Sequence, residues 1–212
     1  DSSLAMKSIL VSIVAAVVLM GCGDLQKPVE KVAETELESF IPKSVVKHSE
    51  AEVRKVLMLF VGERVGQGEV NYLEGTQMKY ELRSLLNWVK EKNTIAGITE
   101  LITPNGEMIL KNRVYYDKES NLFIDEQTTE ANDAGKVFGI WDAKEMTINW
   151  YRESNELRGY TKQTFTGPRQ STSTGKTWKK VGSEWELSTN SNNKIQPKHG
   201  GKTGDELKAE DK

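Results

Sequence analysis

The chain has 212 residues and carries 29 Lys and Arg against 31 Asp and Glu, which gives a formal net charge of −2. This length is enough for one domain with a sizeable core, and the near balance of charge gives no reason to expect nucleic acid as a partner. One cysteine and two histidines exclude an intramolecular disulfide and a zinc site built of Cys and His. The sequence therefore predicts no metal and no other cofactor.

The first element in chain order is an apolar stretch from Ile9 to Gly21, which follows Lys7. It is shorter than the roughly 20 residues that a helix needs to cross a bilayer. A positive charge followed by a short apolar run is typical of a secretory signal. We therefore predict that residues 1–21 are upstream residues and a signal peptide.

The apolar stretch ends at Leu19-Met20-Gly21-Cys22, which resembles the lipobox of bacterial lipoproteins. The resemblance implies cleavage before Cys22, with acyl chains such as palmitate on its thiol and new amino group. Membrane lipid would then be a partner through acylated Cys22, since more than one chain gives a stable anchor. The domain would lie outside the cytoplasm in the bacterial cell envelope, facing the periplasm or the surface. The alternative is an ordinary signal peptide that happens to contain a cysteine.

One short helix is predicted ahead of the strands. Residues 22–48 are interpreted as a tether, in which the apolar spacing after Pro28 favours a short amphipathic helix closed by Pro42. Ser49-Glu50-Ala51-Glu52 fits a capping box at the start of the main helix. The residues that follow place four apolar side chains on one helical face, and Gly62 is predicted to end the helix. Those four are Val53, Val56, Leu57 and Phe60.

From Val65 onward the apolar period changes to two, which is typical of strands. Turn signals recur at fairly regular spacing, at Pro104-Asn105-Gly106, Asp117–Asn121, Asn132–Gly135, Asp142–Glu145 and Gly182-Ser183. The pattern predicts nine or ten short strands in an antiparallel meander that curls into a barrel or half-barrel over residues 49–190. The polar residues 191–212 are predicted to form a disordered tail.

Four stretches of the chain resemble bacterial calycin-like domains of unknown function, which occur on secreted proteins and lipoproteins. They are "LFVGE", "VYYDKES", "GIWDAKEMTINW" and "TWKKVGSEWEL". The resemblance covers about residues 50–190 and implies a mainly β, lipocalin-like barrel with the helix packed near one end, but no activity. The chain departs from the lipocalin pattern Gly-x-Trp after the first helix, because Arg64 stands where the Trp would be.

The strand period also predicts which side chains enter the barrel. Asn112 and Tyr116 share a face with Met108, Leu110 and Val114, and Trp150 shares one with Met146 and Ile148. Aromatic and aliphatic walls with a few polar groups describe a small-molecule pocket, but they equally describe a filled core. The candidate ligand-binding residues are Asn112, Tyr116 and Trp150.

The sequence contains no recognisable catalytic arrangement. The neighbouring carboxyl groups of Asp125 and Glu126 point to opposite faces of a strand, so we interpret them as solvated strand and turn residues. Neither a phosphate loop nor a Gly-x-Ser-x-Gly motif is present. We therefore predict that the protein is not an enzyme.

Two functions remain open at this point. The first is a lipid-anchored envelope protein that binds a small apolar ligand in its barrel. The second is a structural or protein-interaction module with an envelope protein as partner. Charge is also uneven: residues 158–202 contain nine basic and two acidic residues. These form either a basic face for anionic lipid or simply a solvated surface.

Overall fold

The computed structural model describes residues 40–44, 46–129 and 133–200, with the side chains of 133 and 134 excepted. The signal peptide, Cys22, the amphipathic segment up to residue 39, and residues 201–212 lie outside the described residues. Within the described ranges, no helix has the length and hydropathy needed to cross a membrane.

One helix and ten strands make up the described chain. Their bounds are α1 (Glu50–Met58), β1 (Gly62–Tyr72), β2 (Gln77–Trp88), β3 (Thr94–Thr103), β4 (Gly106–Asp117), β5 (Leu122–Thr128), β6 (Asp133–Asp142), β7 (Thr147–Glu153), β8 (Leu157–Gly167), β9 (Gln170–Val181) and β10 (Glu184–Pro197). The predicted turn at Gly182-Ser183 falls between β9 and β10, and that at Pro104-Asn105-Gly106 joins β3 to β4, with Gly106 as the first residue of β4.

The ten strands form a closed antiparallel barrel. Each strand pairs with its neighbours in the chain, and β1 pairs with β10 to complete the ring. The predicted meander is confirmed, and the sheet closes fully instead of stopping at a half-barrel. Closure pairs the backbone groups of the two strands that would otherwise be edges.

Helix α1 packs at one end of the barrel, here called the helix end. Ser49 and Glu52 form the predicted capping box, with the Glu52 amide 3.3 Å from Ser49 Oγ and the Ser49 amide 2.8 Å from Glu52 Oε2. The apolar face of the helix is buried against side chains from the ends of β2 to β5. These contacts involve Val53, Val56 and Leu57 of α1 with Leu86, Ile95, Val114 and Phe123.

The helix ends earlier than predicted. Leu59 caps it, and Gly62 is the first residue of β1 and not the residue that ends the helix. Gly62 has a φ of 108°, a left-handed value that glycine adopts without steric cost, so the chain can turn sharply into the strand. Phe60 follows the helix but is still buried, because its ring packs 5.1 Å from the ring of Phe165.

The predicted inward position of Met146 is wrong. Met146 lies in the turn before β7 with a φ of 52°, and its side chain is 40% exposed. The alternation begins only at the strand itself, so Ile148 and Trp150 face inward while Met146 does not.

The predicted tail from residue 191 is also wrong for its first seven residues, because β10 continues to Pro197. Ser191, Asn193 and Ile195 point inward and are buried. The pairing with β1 runs from Tyr72–Thr189 to Arg64–Pro197, so these residues close the barrel. The polar composition of residues 191–197 predicts disorder. These residues are nevertheless ordered in β10, because the barrel interior described below is itself partly polar.

The end of the predicted tether belongs to the barrel domain as well. The Phe40 ring packs 6.1 Å from Tyr151 and 5.8 Å from Trp178, both on the outer wall. His48 packs 5.7 Å from the ring of Tyr116 at the helix end. Burial of aromatic surface holds this part of the chain on the barrel wall. Residues 40–48 are called the strap below.

Candidate binding site in the barrel interior

The interior of the barrel has one strongly apolar wall. Side chains of β1 to β4, with one from β10, form a cluster of buried apolar residues. They are Val70, Met78, Tyr80, Leu82, Leu101, Met108, Leu110 and Ile195. A second apolar cluster, which includes Trp150 and Phe165, lies beneath α1.

Buried polar side chains occupy much of the remaining interior. They include Arg64, Ser84, Thr99, Asn112, Asp125, Gln127, Gln163, Ser171, Ser173 and Asn193. Burying a polar group costs free energy unless it finds a hydrogen-bond partner. An interior of this composition is therefore unlike a purely apolar core.

A cavity of about 80 Å³ lies where the apolar wall meets these polar side chains. Leu82, Leu101 and Leu110 border it on one side, and Arg64 and Asp125 border it on the polar side. The volume accommodates a few water molecules. It is well below the roughly 300–1,000 Å³ of pockets for drug-sized ligands. The interior is thus mostly filled, with a small cavity of mixed polarity near its centre.

A larger crevice of about 370 Å³ lies outside the barrel, between the strap and the outer wall. It is lined by strap residues 41–44 together with Leu122 and Phe138, among others. None of its lining side chains is a buried polar group that lacks a partner. We therefore regard the interior cavity as the candidate site.

Arg64 of β1 brings a guanidinium group into the interior and is only 7% exposed. Its Nη2 donates to Ser84 Oγ at 3.0 Å, and its Cζ lies 5.5 Å from the centre of the Phe60 ring. Its Nε has no partner among the described residues. Burial lowers the pKa of Arg64 to about 10, although the charge of Asp125 opposes this shift. The group is therefore cationic at neutral pH.

Asp125 of β5 is the acidic counterpart and is only 8% exposed. Gln127 Nε2 donates to its Oδ2 at 2.8 Å, and Asn112 Nδ2 lies 3.2 and 3.3 Å from its two oxygens. Burial raises the pKa of Asp125 to about 6, against these hydrogen bonds and the charge of Arg64. Although both border the cavity, Asp125 and Arg64 do not form an ion pair.

The expectation that Asp125 is a solvated strand residue is therefore wrong. The alternation itself holds, because Glu126 faces outward and its Oε1 lies 2.9 Å from Lys136 Nζ. Strand parity alone does not determine which of the two carboxyl groups enters the barrel.

Two of the three predicted site residues border the cavity. Asn112 is 7% exposed, and its Oδ1 has no partner in the described part of the chain. Trp150 is 4% exposed, and its Nε1 donates to Gln163 Oε1 at 3.0 Å. Gln163 Nε2 donates in turn to Ser171 Oγ at 3.0 Å, which fixes the orientation of its amide.

Tyr116, the third predicted residue, does not border the cavity. Its ring lies at the helix end, where its hydroxyl accepts from the His48 amide at 3.2 Å and donates to Asn121 Oδ1 at 3.3 Å. It therefore connects the strap to the barrel. Cys22 lies outside the described residues.

Sequence reasoning missed Arg64, Asp125 and Gln163 as site residues. Arg64 had a signal, because it stands where the lipocalin pattern has Trp and shares strand parity with the buried Val70. Gln163 shares parity with Phe165 on β8. A polar residue at an inward position is the signal that would have found each of them.

The cavity can hold hydrogen-bonding groups of both kinds. Arg64 Nε offers a donor and Asn112 Oδ1 an acceptor, and the Asp125 carboxylate accepts further bonds. Four more buried hydroxyl groups further along the interior lack partners among the described residues, those of Thr161, Thr177, Thr189 and Ser191. The described residues contain no cluster of three or more His, Cys, Asp or Glu that could hold a metal ion.

No protein-family model matches the chain, and no curated protein matches it. Among solved structures, the chain is similar to an S-type phycobiliprotein lyase from Guillardia theta, with a TM-score of 0.50 and 11% sequence identity. The match covers 69% of this chain and 92% of that chain. At this identity the similarity shows the fold alone, and the fold is a calycin-like antiparallel barrel.

Proposed function

We propose that the chain is a lipid-anchored protein of the bacterial cell envelope whose barrel binds a small ligand in the interior cavity. One observation carries the ligand proposal. The buried Arg64 guanidinium group and the buried Asp125 carboxylate border one cavity without pairing, and Arg64 Nε and Asn112 Oδ1 have no partner in the described chain.

Hydrogen-bond energetics explain why such a site favours an occupant. A buried polar group left without a partner costs about 1–3 kcal/mol. Arg64 Nε and Asn112 Oδ1 both stand in this position. A ligand that satisfies both groups recovers part of this cost. Water competes for the same place, so the experiment has to distinguish water from a ligand.

The chemistry of the cavity points to a neutral ligand. The charges of Arg64 and Asp125 balance each other, so a ligand with a net charge meets one favourable and one unfavourable group. A molecule with one acceptor, one donor and a short apolar part fits both walls. The predicted apolar ligand is therefore revised to a small polar molecule with an apolar side that faces Leu82, Leu101 and Leu110.

The anchor rests on the resemblance of residues 19–22 to a lipobox. Acylation of Cys22 would place the barrel at a membrane outside the cytoplasm. The proposal assigns no catalytic step, since it gives the polar groups of the cavity a binding role only.

The test of the ligand compares two arginine variants of the full chain. Arg64→Met removes the buried guanidinium group, and Arg83→Met removes an exposed one from the neighbouring strand β2. Native mass spectrometry of the purified proteins should show a bound small molecule with the wild type and Arg83→Met, and none with Arg64→Met. A wild-type protein that carries no molecule heavier than water would refute the ligand proposal.

The test of the anchor is the mass of the mature protein. Cleavage before Cys22 with attached acyl chains predicts a defined mass increase on the peptide that begins at Cys22. A Cys22→Ser variant should lack this mass. An unmodified thiol in the wild type would refute the anchor but leave the ligand proposal standing.

An interaction module is the second candidate, and exposed apolar side chains on β2 to β4 favour it. Leu85 is 37%, Ile98 46% and Ile109 39% exposed, and Leu85 lies directly opposite Ile98. An envelope protein could cover this surface. Amine-reactive cross-links from a defined partner that form at Lys111, directly opposite Ile98, and disappear in Ile98→Asp would favour this function over ligand binding.

A further inference from the structure

The outer wall formed by β8 and β9 carries basic residues and no acidic ones. Strands β8 and β9 contain no Asp or Glu. Lys162 of β8, Lys176 of β9 and Lys194 of β10 are exposed on this wall. None of these three lysines forms an ion pair with a described residue. We call Lys162, Lys176 and Lys194 the basic face.

The register of the sheet gives the spacing of the three lysines. Lys162 lies opposite Thr174, which is two residues from Lys176 on β9. Lys194 lies opposite Thr172, which is two residues from Thr174 on the other side. Diagonal neighbours in antiparallel strands are about 7–8 Å apart. Lys162 and Lys176 are diagonal neighbours of this kind. Lys194 completes the basic face at a greater distance, where Glu69 of β1 is its own diagonal neighbour.

The opposite wall has balanced charges. There Arg83 of β2 lies directly opposite Glu100 of β3, so a positive and a negative side chain stand side by side. Lys79 and Glu81 alternate with them on the outer face of β2. The wall of β8 and β9 differs from it, because these two strands carry basic residues without any Asp or Glu.

The strap joins the barrel beside the basic face. Phe40 packs on Trp178, which is two residues from Lys176 on the outward side of β9. The Arg158 guanidinium lies 5.4 Å from the Phe40 ring and 4.3 Å from the Trp185 ring. Eighteen residue steps separate Phe40 from Cys22, a reach of at most roughly 60 Å. An acylated Cys22 would therefore keep the bilayer within reach of this wall.

We propose that the basic face lies against the anionic lipid headgroups of the membrane that holds the anchor. The proposal rests on the lipid anchor proposed above. Positive side chains near the surface attract anionic lipid, and the Trp178 and Trp185 rings suit the membrane–water interface. The barrel then lies with β8–β10 toward the membrane and β2–β4 away from it.

Surface electrostatics give the size of the effect. One lysine near an anionic bilayer favours the docked orientation about fivefold, so Lys162 and Lys176 together favour it roughly 25-fold. Glu69 beside Lys194 offsets part of the contribution of that third lysine. The Debye length shortens to about 3 Å in 1 M salt, so the preference should disappear there.

The first experiment measures lysine acetylation rates of the lipidated full chain in nanodiscs. Discs of phosphatidylcholine alone are compared with discs that also contain phosphatidylglycerol. The three lysines of the basic face should be acetylated at least several-fold more slowly in the anionic discs, with recovery at high salt. Lys79 and Lys111 on the opposite wall should react equally in both discs. If each of the five lysines is acetylated at the same rate in both kinds of disc, the proposal is overturned.

The second experiment compares two triple variants of the same charge change. Lys162→Gln/Lys176→Gln/Lys194→Gln removes the basic face, and Lys79→Gln/Arg83→Gln/Lys111→Gln removes charge from the opposite wall. In anionic discs, brominated lipids should quench the tryptophan fluorescence of the wild type and of the opposite-wall variant. They should quench the fluorescence of the variant without the basic face much less. Equal quenching of both variants would overturn the proposal.

The mass of the peptide that begins at Cys22 distinguishes a failure of the lipid anchor from a failure of the basic-face proposal. Acyl chains on Cys22 with uniform lysine rates refute the basic face alone. A free Cys22 thiol refutes the anchor, and with it the docked orientation. The bound small molecule in native mass spectra is independent of both outcomes.

Discussion

Asp125 and Glu126 are neighbours on β5 whose environments predict opposite responses to pH. Burial raises the pKa of Asp125 from its ordinary value of 3.8 to about 6. Lys136 lowers the pKa of Glu126, which faces outward. A raised carboxyl pKa means that the folded state binds the proton more tightly than the unfolded state does. Ionised Asp125 therefore lowers the free energy of unfolding at neutral pH.

The size of the effect follows from the two pKa values. The shift from 3.8 to about 6 corresponds to about 3 kcal/mol above pH 6. This penalty is relieved as the pH falls through 6 toward 4, and about 1 kcal/mol of it is relieved between pH 7 and pH 5. The ionised Glu126 carboxylate has the opposite effect, because it raises the free energy of unfolding. This stabilisation is present above the unfolded pKa of Glu126 and is lost as the pH falls through its lowered folded pKa.

The assay is urea unfolding of the full chain at pH 7 and pH 5, followed by tryptophan fluorescence. The difference in free energy of unfolding between the wild type and Asp125→Asn should change by about 1 kcal/mol between the two pH values. The wild type should gain stability at pH 5 relative to the variant. Glu126→Gln is the matched control, because it changes the adjacent carboxyl group on the other face. Its difference from the wild type in free energy of unfolding should hardly change between pH 7 and pH 5, since both values lie above the ordinary pKa of 4.5. A wild-type-to-Asp125→Asn difference that is the same at both pH values would refute the buried, ionised state of Asp125.

Two further predictions concern the barrel wall and the strap. Gly97→Ala should lower the free energy of unfolding by at least about 2 kcal/mol, because the added Cβ would lie 1.9 Å from the Leu85 backbone oxygen. Gly167→Ala is the control in the same urea series, because the atom nearest to its added Cβ is 3.9 Å away. Phe40→Ala should release the strap from Trp178 and make it susceptible to limited proteolysis, whereas Val46→Ala, at a side chain 51% exposed, should leave the cleavage rate unchanged. A strap as resistant in Phe40→Ala as in the wild type would contradict its attachment through the aromatic contacts.

Much of the fold was predictable because turns and alternation are local properties. The glycine at 106 and the loop from Asp117 to Asn121 mark strand ends through backbone requirements that involve only near neighbours. Inward parity on β4 also depends only on the strand, so the burial of Asn112 followed from its position between Leu110 and Val114.

The chemistry of the site was harder to predict because it depends on contacts between distant strands. Arg64 and Asp125 are 61 positions apart in the sequence, and only barrel closure brings both to one cavity. Ser191 and Asn193 were assigned to a disordered tail because polar residues usually avoid cores. This barrel has a polar interior, so the same residues are buried there.

Pairing of β1 with β10 has a consequence for the order of folding. The first strand finds its second partner only when residues 189–197 are available, more than a hundred positions later. Such distant contacts form slowly, because the loop between them has to close first. A nascent chain still attached to the ribosome would thus lack its final strand and keep an unpaired edge. The ring is therefore sealed only after synthesis is complete, and under the proposed export this step would follow passage through the translocation channel.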